Sequence, residues 1–299
     1  MTHVATLIAG ASDGALDPSL LERAQAMLPG AAAPQWLAEK IAADIPFSAN
    51  GEHDDRALAD RLRANAGDRP VDVVVQPLRH RRKRLLVADM DSTMIGQECI
   101  DELADFAGVK DRVAAITERA MRGDIAFEPA LRERIALLSG LSATVIDEVI
   151  ANRVRPTSGA QTLVATMRAH GAYTCLVSGG FTVFTGHVAA ILGFDEHHAN
   201  TLLVDRQGRI ASIAEPILGR EAKLDTLLAV ARRRGLAMEQ TLAVGDGAND
   251  IPMLEASGLG VAYHAKPKVA ERAAARIDHG DLTALLYLQG YRQDEFVTE

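Results

Sequence analysis

Three short apolar runs, Leu85–Ala88, Tyr173–Val177 and Leu242–Val244, each break directly into a polar cluster, and this recurrence restricts the fold more than any other feature of the chain. Consecutive apolar residues without polar alternation suit strands buried on both faces, as in a parallel sheet covered by helices. Leu259–Ala262 is a weaker fourth run, and amphipathic helical stretches separate the runs. Alternating strands and helices predict an α/β fold, a doubly wound parallel sheet with right-handed crossovers. In such sheets ligands bind outside the carboxyl ends of the strands. The polar clusters fall there: Asp89-Met90-Asp91-Ser92-Thr93, Ser178-Gly179-Gly180 and Gly245-Asp246-Gly247-Ala248-Asn249-Asp250. Three unrelated sequences are thereby expected to meet in one crevice.

One spacing is abnormal. A βαβ unit takes roughly 30 residues, yet far more chain separates the first two runs. The excess, about residues 94–156, carries apolar residues at three- and four-residue steps: Ile100, Leu103, Ala107, then Leu131, Ile135, Leu138, then Val145, Val149. That period predicts a helical cap inserted over one edge of the sheet. Between Leu202 and Ile213, Asp205-Arg206-Gln207-Gly208 marks a hairpin. Residues 1–80 read strand (Val4–Ala9), helix (Pro18–Leu28), two extended stretches around Trp36 and Ile45, helix (Asp55–Ala64) and strand (Val71–Gln76). This βαββαβ order predicts a small N-terminal α+β module ahead of a second domain over residues 84–299. The run His80-Arg81-Arg82-Lys83-Arg84 between them reads as a solvated linker.

Composition narrows the class of partner. The formal charge is −8 and acidic residues are spread along the chain, so no large basic face is expected and nucleic acid is not a predicted partner. No stretch approaches the roughly twenty apolar residues of a membrane span, and no leader-like segment opens the chain. The only two cysteines, Cys99 and Cys175, lie in apolar stretches, so a disulfide framework is not expected and a cytoplasmic location fits.

Asp89 and Asp91, two apart after a buried strand, join Asp246 in an oxygen-only set suited to Mg²⁺, with no Cys or His cluster expected to offer a softer site. Any one of these aspartates alone would read as a helix cap; the convergence of the set favours chemistry. A carboxylate attacks phosphorus when a cation offsets the charge repulsion and a neighbour protonates the leaving oxygen. Asp89 and Asp91 can divide those roles, and spacing does not say which takes which. Ser178 with two glycines offers a hydroxyl and N–H groups to an anion at the start of a predicted helix, a pattern that plain N-capping also fits. Lys223, in the predicted helix Arg220–Arg234, would by itself be a surface residue.

The ordered set, Asp-x-Asp-Ser-Thr, Ser-Gly-Gly, a Lys and then Gly-Asp-Gly-x-Asn-Asp, resembles the four motifs of the haloacid dehalogenase superfamily, whose core is Rossmann-like. Over residues 89–108, 127–138, 177–181 and 244–250 it is most similar to the phosphoserine phosphatases. The resemblance implies a Mg²⁺-dependent phosphoric monoester hydrolase acting on O-phospho-L-serine in the last step of L-serine biosynthesis. It implies Asp89 as nucleophile and metal ligand, Asp91 as general acid then base with its main-chain carbonyl on the metal, and Asp246 as third ligand. Ser178, Gly179 and Lys223 would hold the phosphoryl oxygens, Asn249 would touch the phosphate, and Asp250 would support the site from behind. Glu98 and Arg134 match the positions that read the amino acid, and an Arg gripping a carboxylate opposite a Glu pairing an ammonium is suitable chemistry. Met121 and Phe127 match apolar positions of a closing lid. The N-terminal module resembles ACT-type modules, which implies an effector site or a homodimer contact. The rival readings are a phosphotransferase that passes phosphate to an alcohol, a phospho-accepting receiver and an idle sensor. A receiver lacks both the cap and Gly-Asp-Gly-x-Asn-Asp.

Overall fold

A computed structural model describes residues 1–10, 16–49, 54–122, 124–219 and 221–298, except the side chains of residues 121 and 122. The N-terminal segment forms β1 (His3–Ala9), α1 (Pro18–Ala26), β2 (Gln35–Ala38), β3 (Ala42–Phe47), α2 (Asp55–Ala66) and β4 (Val71–Pro77). Its four strands are antiparallel in the order β2-β3-β1-β4. Each helix starts where a carboxylate satisfies free N–H groups: Asp17 accepts from Leu20 N, and Asp54 from Arg56 N and Ala57 N. Ala5, Leu7 and Ala9 pack with Leu20 and Leu62. Ile8 and Val74 belong instead to the large apolar cluster of the remainder of the chain. The small sheet is therefore buried on both faces, which explains why Val73, Val74 and Val75 of β4 are apolar without alternation.

That double burial corrects the reading of residues 80–84 as a solvated linker at two positions, Arg81 and Lys83, while His80, Arg82 and Arg84 are exposed. Arg81 is largely enclosed in the seam between the two sheets, its side chain 11% exposed, and Lys83 is buried beside it in the chain. Arg81 Nη1 and Nη2 lie 2.5 and 2.7 Å from the Asp44 carboxylate, and its remaining donors reach Thr6 Oγ1, Leu288 O and Tyr287 O. Lys83 Nζ donates to Glu239 O at 2.8 Å. Across the same seam, Asp72 accepts from the backbone N–H groups of Asp278, His279 and Gly280.

The main sheet begins with β5 (Leu85–Asp89). The chain then passes through α3 (Cys99–Phe106), α4 (Lys110–Arg122), α5 (Phe127–Leu138), α6 (Thr144–Asn152) and α7 (Ala160–Ala169). It returns as β6 (Tyr173–Phe181), α8 (Thr182–Leu192) and β7 (Glu196–Asn200), followed by the hairpin β8 (Leu202–Val204) and β9 (Ile210–Ile213). The last third is α9 (Ala222–Arg233), β10 (Thr241–Gly245), α10 (Ile251–Ala256), β11 (Leu259–Tyr263), α11 (Pro267–Ala270), β12 (Ala275–Ile277) and α12 (Ala284–Leu288). The order is β12-β11-β10-β5-β6-β7, and every pair is parallel. From β5 the chain builds outward to β7 on one side, then to β12 on the other. The topological switch lies between β5 and β10, where a ligand crevice is expected.

Helices α3 to α6 fill the long insertion. The two segments that carry it run side by side, bridged at Ile95 and Pro156, with Thr157 N donating to Met94 O and Arg155 N to Gln97 Oε1. The hairpin does not stand free; it docks on the insertion through Gly140 N to Ile210 O and Ala143 N to Gly208 O. Two strands escape the sequence pattern, β7 and β12. Both are edge strands, the first polar (Glu-His-His-Ala-Asn) and the second only three residues long, so neither carries the apolar run of a central strand. Among the described residues no helix is long and apolar enough to cross a membrane, and Cys99 and Cys175 are free and buried.

Candidate active site

Asp89 is the last residue of the central strand, 6% exposed, and its Oδ1 accepts from Met90 N at 2.8 Å. Lys223 Nζ sits 2.6 Å from the same oxygen and 2.5 Å from Asp250 Oδ1. No donor among the described residues is directed at Asp89 Oδ2. Lys223 itself is 3% exposed, so the surface reading of a helical lysine fails here. From the first turn of α9 the lysine side chain reaches Asp89 at the end of β5 and Asp250 in the segment after β10.

Asp250 reaches Lys223 because the chain after β10 doubles back. Its Oδ2 accepts from Gly247 N at 2.9 Å. A Cβ on Gly245 would lie 2.4 Å from Asp250 Cγ, so no other residue at 245 permits this fold-back. Asp246 is half buried, and Thr93 Oγ1 donates to its Oδ1 at 3.3 Å. Asn249 folds over Gly247, at which a Cβ would meet Asn249 Oδ1 at 2.5 Å.

Asp91 has both carboxylate oxygens engaged: Oδ1 accepts from Cys99 N at 2.9 Å, and Oδ2 from Ser178 Oγ at 3.0 Å. Ser178 does not cap a helix. It lies within β6, its Oγ accepting from Gly180 N at 2.8 Å, while α8 starts four residues later without a side-chain cap. The Ser-Gly-Gly segment is thus aimed at the Asp91 carboxylate rather than spent on helix initiation. Between Asp91 and the insertion, Ser92 holds a left-handed φ of 55°, an unusual conformation for a serine, and its Oγ donates to Glu98 Oε1 at 2.7 Å.

Glu98 immediately precedes α3, and Arg134 lies on α5, half buried. Protein packed around Glu98, then the charge of Asp91, push its carboxyl up to about 7, although the side chain keeps contact with solvent. Burial lowers the Arg134 pKa, and Asp101 and Glu98 act against that. Phe127, in the first turn of α5, lies against the Ser-Gly-Gly segment: a Cβ on Gly179 would come within 3.2 Å of its ring. The Met121 side chain lies outside the described residues.

Charge is out of balance at this edge. Burial, then Asp250, push the Asp89 carboxyl well above the usual range, with Lys223 pulling the other way. Asp246 is raised by the same two causes. Burial disfavours the Lys223 ammonium, but Asp250 and Asp89 outweigh it and raise its pKa. Lys223 faces Asp89 and Asp250, the positive charge of Lys266 also acts on Asp246, and oxygens of the three carboxylates come within 4.8 Å of one another. Such an edge favours a further cation and, through Lys223, an anion.

The expectation that no Cys or His cluster would form needs correction. Cys175, Glu196 and His198 bring ligand atoms within 4.8 Å of one another on neighbouring β6 and β7. Glu196 in that cluster is already held by Arg233 and Tyr173, and burial pushes the Cys175 thiol up. Sequence reasoning also misses Ser92, Thr93 and Asn200. Ser92 and Thr93 sit inside a motif already singled out; Asn200 ends an edge strand that the apolar pattern does not reveal.

Residues 86–255 match the family model of haloacid dehalogenase-like hydrolases. The chain belongs to the haloacid dehalogenase-like hydrolase family. Curated relatives there include phosphoserine phosphatases: the Polaromonas protein is 44% identical over 225 residues, covering 73% of this chain and 94% of that one. The Streptomyces coelicolor phosphoserine phosphatase is 45% identical over 225 residues, 75% of this chain, which spans only 54% of that longer protein. Among solved structures, a HAD family hydrolase of Salmonella enterica serovar Typhi superposes with TM-score 0.85 at 28% identity, covering 98% of this chain and 99% of that one. A phosphoserine phosphatase solved as a phospho-aspartyl intermediate analogue superposes with TM-score 0.64 at 38% identity, covering 69% of this chain and 98% of that one.

Proposed function

We propose that this chain hydrolyses O-phospho-L-serine to L-serine and phosphate through a phosphorylated Asp89, completing L-serine biosynthesis in the cytoplasm. The observation that carries the reading is the buried Asp89–Lys223–Asp250 ion triad, set at the switch point opposite Asp91 and Ser178. Asp89 Oδ2, the oxygen to which no donor among the described residues is directed, attacks phosphorus in line with the serine oxygen. Asp91 delivers a proton to that oxygen as the P–O bond breaks, then removes a proton from the water that displaces Asp89 from phosphorus. Lys223, Ser178 and the Gly179 N–H hold the phosphoryl oxygens, and Asn249 adds a further contact.

Mg²⁺ fits the donor set, which is all oxygen and carries more negative charge than Lys223 neutralises. Asp89, Asp246 and the main-chain carbonyl of Asp91 would hold it. The Asp91 carboxylate is taken by Cys99 N and Ser178, and that of Asp250 by Lys223 and Gly247 N. When bound, the ion supplies positive charge that offsets the charge of the phosphoryl group.

Arg134 reads the α-carboxylate and Glu98 the α-ammonium, while Phe127, with Met121, excludes water. Residues 84–299 form the phosphatase, with residues 94–156 as its cap, and residues 1–80 form the accessory module. A panel of phosphorylated small molecules with Mg²⁺, repeated with chelator, tests the reading. Preferential phosphate release from O-phospho-L-serine that stops on chelation is expected; faster release from an unrelated phosphomonoester would overturn the substrate assignment.

A further inference from the structure

The phosphoryl pocket has two halves from distant parts of the chain, Ser178-Gly179 at the end of β6 and Lys223 at the start of α9. One buried side chain joins them. Asn200, 2% exposed at the end of β7, donates from Nδ2 to Gly179 O at 3.0 Å and to Leu218 O at 3.4 Å, and its Oδ1 accepts from Leu218 N at 2.7 Å. The donor and acceptor pattern fixes the amide orientation, since an N–H requires the oxygen and two carbonyls require the nitrogen.

The sheet itself explains why a side chain is needed. The β6–β7 ladder pairs Cys175 with Glu196, Leu176 with His197 and Val177 with His198, then resumes at Phe181 with Asn200. Two extra residues of β6 therefore bulge out of the ladder, and the bulge contains Ser178-Gly179-Gly180. Gly179 O loses its strand partner at the place where its neighbours must face the ligand. Asn200 supplies the missing donor and with the same amide fixes the loop that launches Lys223.

We infer that Asn200 is a positioning residue that holds the two halves of the phosphoryl pocket at a single spacing. The inference rests on the phosphatase reading and concerns the phosphate rather than the amino-acid end of the substrate. Asn200→Ala removes all three bonds. Asn200→Asp keeps the shape and the bond to Leu218 N but sets a carboxylate oxygen against two carbonyls.

Inhibition by inorganic phosphate and by L-serine, measured on the full chain with Mg²⁺, separates the two ends. Both variants are expected to raise the phosphate inhibition constant about tenfold or more, as small misplacements of binding groups do, and to leave the L-serine constant within about twofold. Unchanged phosphate inhibition, or equal weakening of both inhibitors, overturns the inference. Should neither variant fold, hydrogen exchange on the unaltered protein decides. Saturating phosphate should slow exchange at the Leu218 amide, and no slowing there overturns the clamp. Normal Asn200 variants beside phosphate-blind Ser178→Ala and Lys223→Ala would sink this inference alone; full turnover by Lys223→Ala would sink the phosphatase reading.

Discussion

The seam beneath the N-terminal sheet and the candidate catalytic edge of the main sheet both bury charge, but they balance it differently. At the seam Arg81 meets a single carboxylate, Asp44, and its other donors end on Thr6 and two main-chain carbonyls. At the edge Lys223 faces Asp89 and Asp250, with Asp246 beside them. A one-to-one pair in which all three guanidinium nitrogens are engaged has no need of a further ion; it ties two sheets together. Three carboxylates clustered about the buried Lys223 ammonium, with the exposed Lys266 adding its charge at Asp246, still carry an excess of negative charge, suited to a further cation and, through Lys223, an anionic substrate. Residual charge therefore separates the candidate site from the structural pair where burial and distance do not.

The largest test of this contrast is Asp89→Asn. Phosphate release should fall at least about a thousandfold, while thermal stability holds or rises, because one of three crowded carboxylates loses its charge. A variant that unfolded would make the edge structural after all. Arg81→Met should do the reverse: Asp44 is left buried without its partner, costing about 3–5 kcal/mol in denaturant unfolding, with activity per folded molecule retained. Intact stability there would mean that the seam bond is dispensable.

Within the catalytic half, Arg134→Ala should remove a charged hydrogen bond worth about 1.5–3 kcal/mol. The expected readout is a roughly ten- to hundredfold loss in kcat/KM for O-phospho-L-serine, with little change for an aryl phosphate; equal losses would refute the carboxylate role. The smallest effect concerns pH. Burial pushes the Lys83 ammonium down to about 8 from its ordinary 10.5. Between those two values the unfolded chain holds more protons than the folded one, so this lysine makes stability rise with pH across that window. Lys83→Met should flatten the rise by about 1–2 kcal/mol, after allowance for the part of the side chain near solvent; parallel stability curves would show that Lys83 does not carry it.

Much of this architecture is legible in the amino-acid sequence. The strands β5, β6, β10 and β11 stand out as apolar runs, and the insertion shows by its helical period. Asp89, Asp91, Asp246 and Asp250 stand in motifs at strand ends, where an open parallel sheet gathers its ligands. Ser178 and Lys223 are visible as residue types, but the phosphate-binding roles proposed for them come from resemblance. Asn200, the burial of Arg81 and Lys83, and the meeting of Cys175 with Glu196 and His198 are not visible, since none has a local period or a turn residue to mark it.

The sequence by itself determined the alternation of elements, the insertion and the polar clusters at the strand ends, because hydrophobic period and turn chemistry act over a few neighbouring residues. Tertiary structure alone decided which charges are paired, which remain in excess and which side chain closes the gap left by the β6 bulge. Those outcomes depend on groups tens to hundreds of residues apart coming within 3 Å, as Asp44 and Arg81 do, and a linear pattern does not encode such distances.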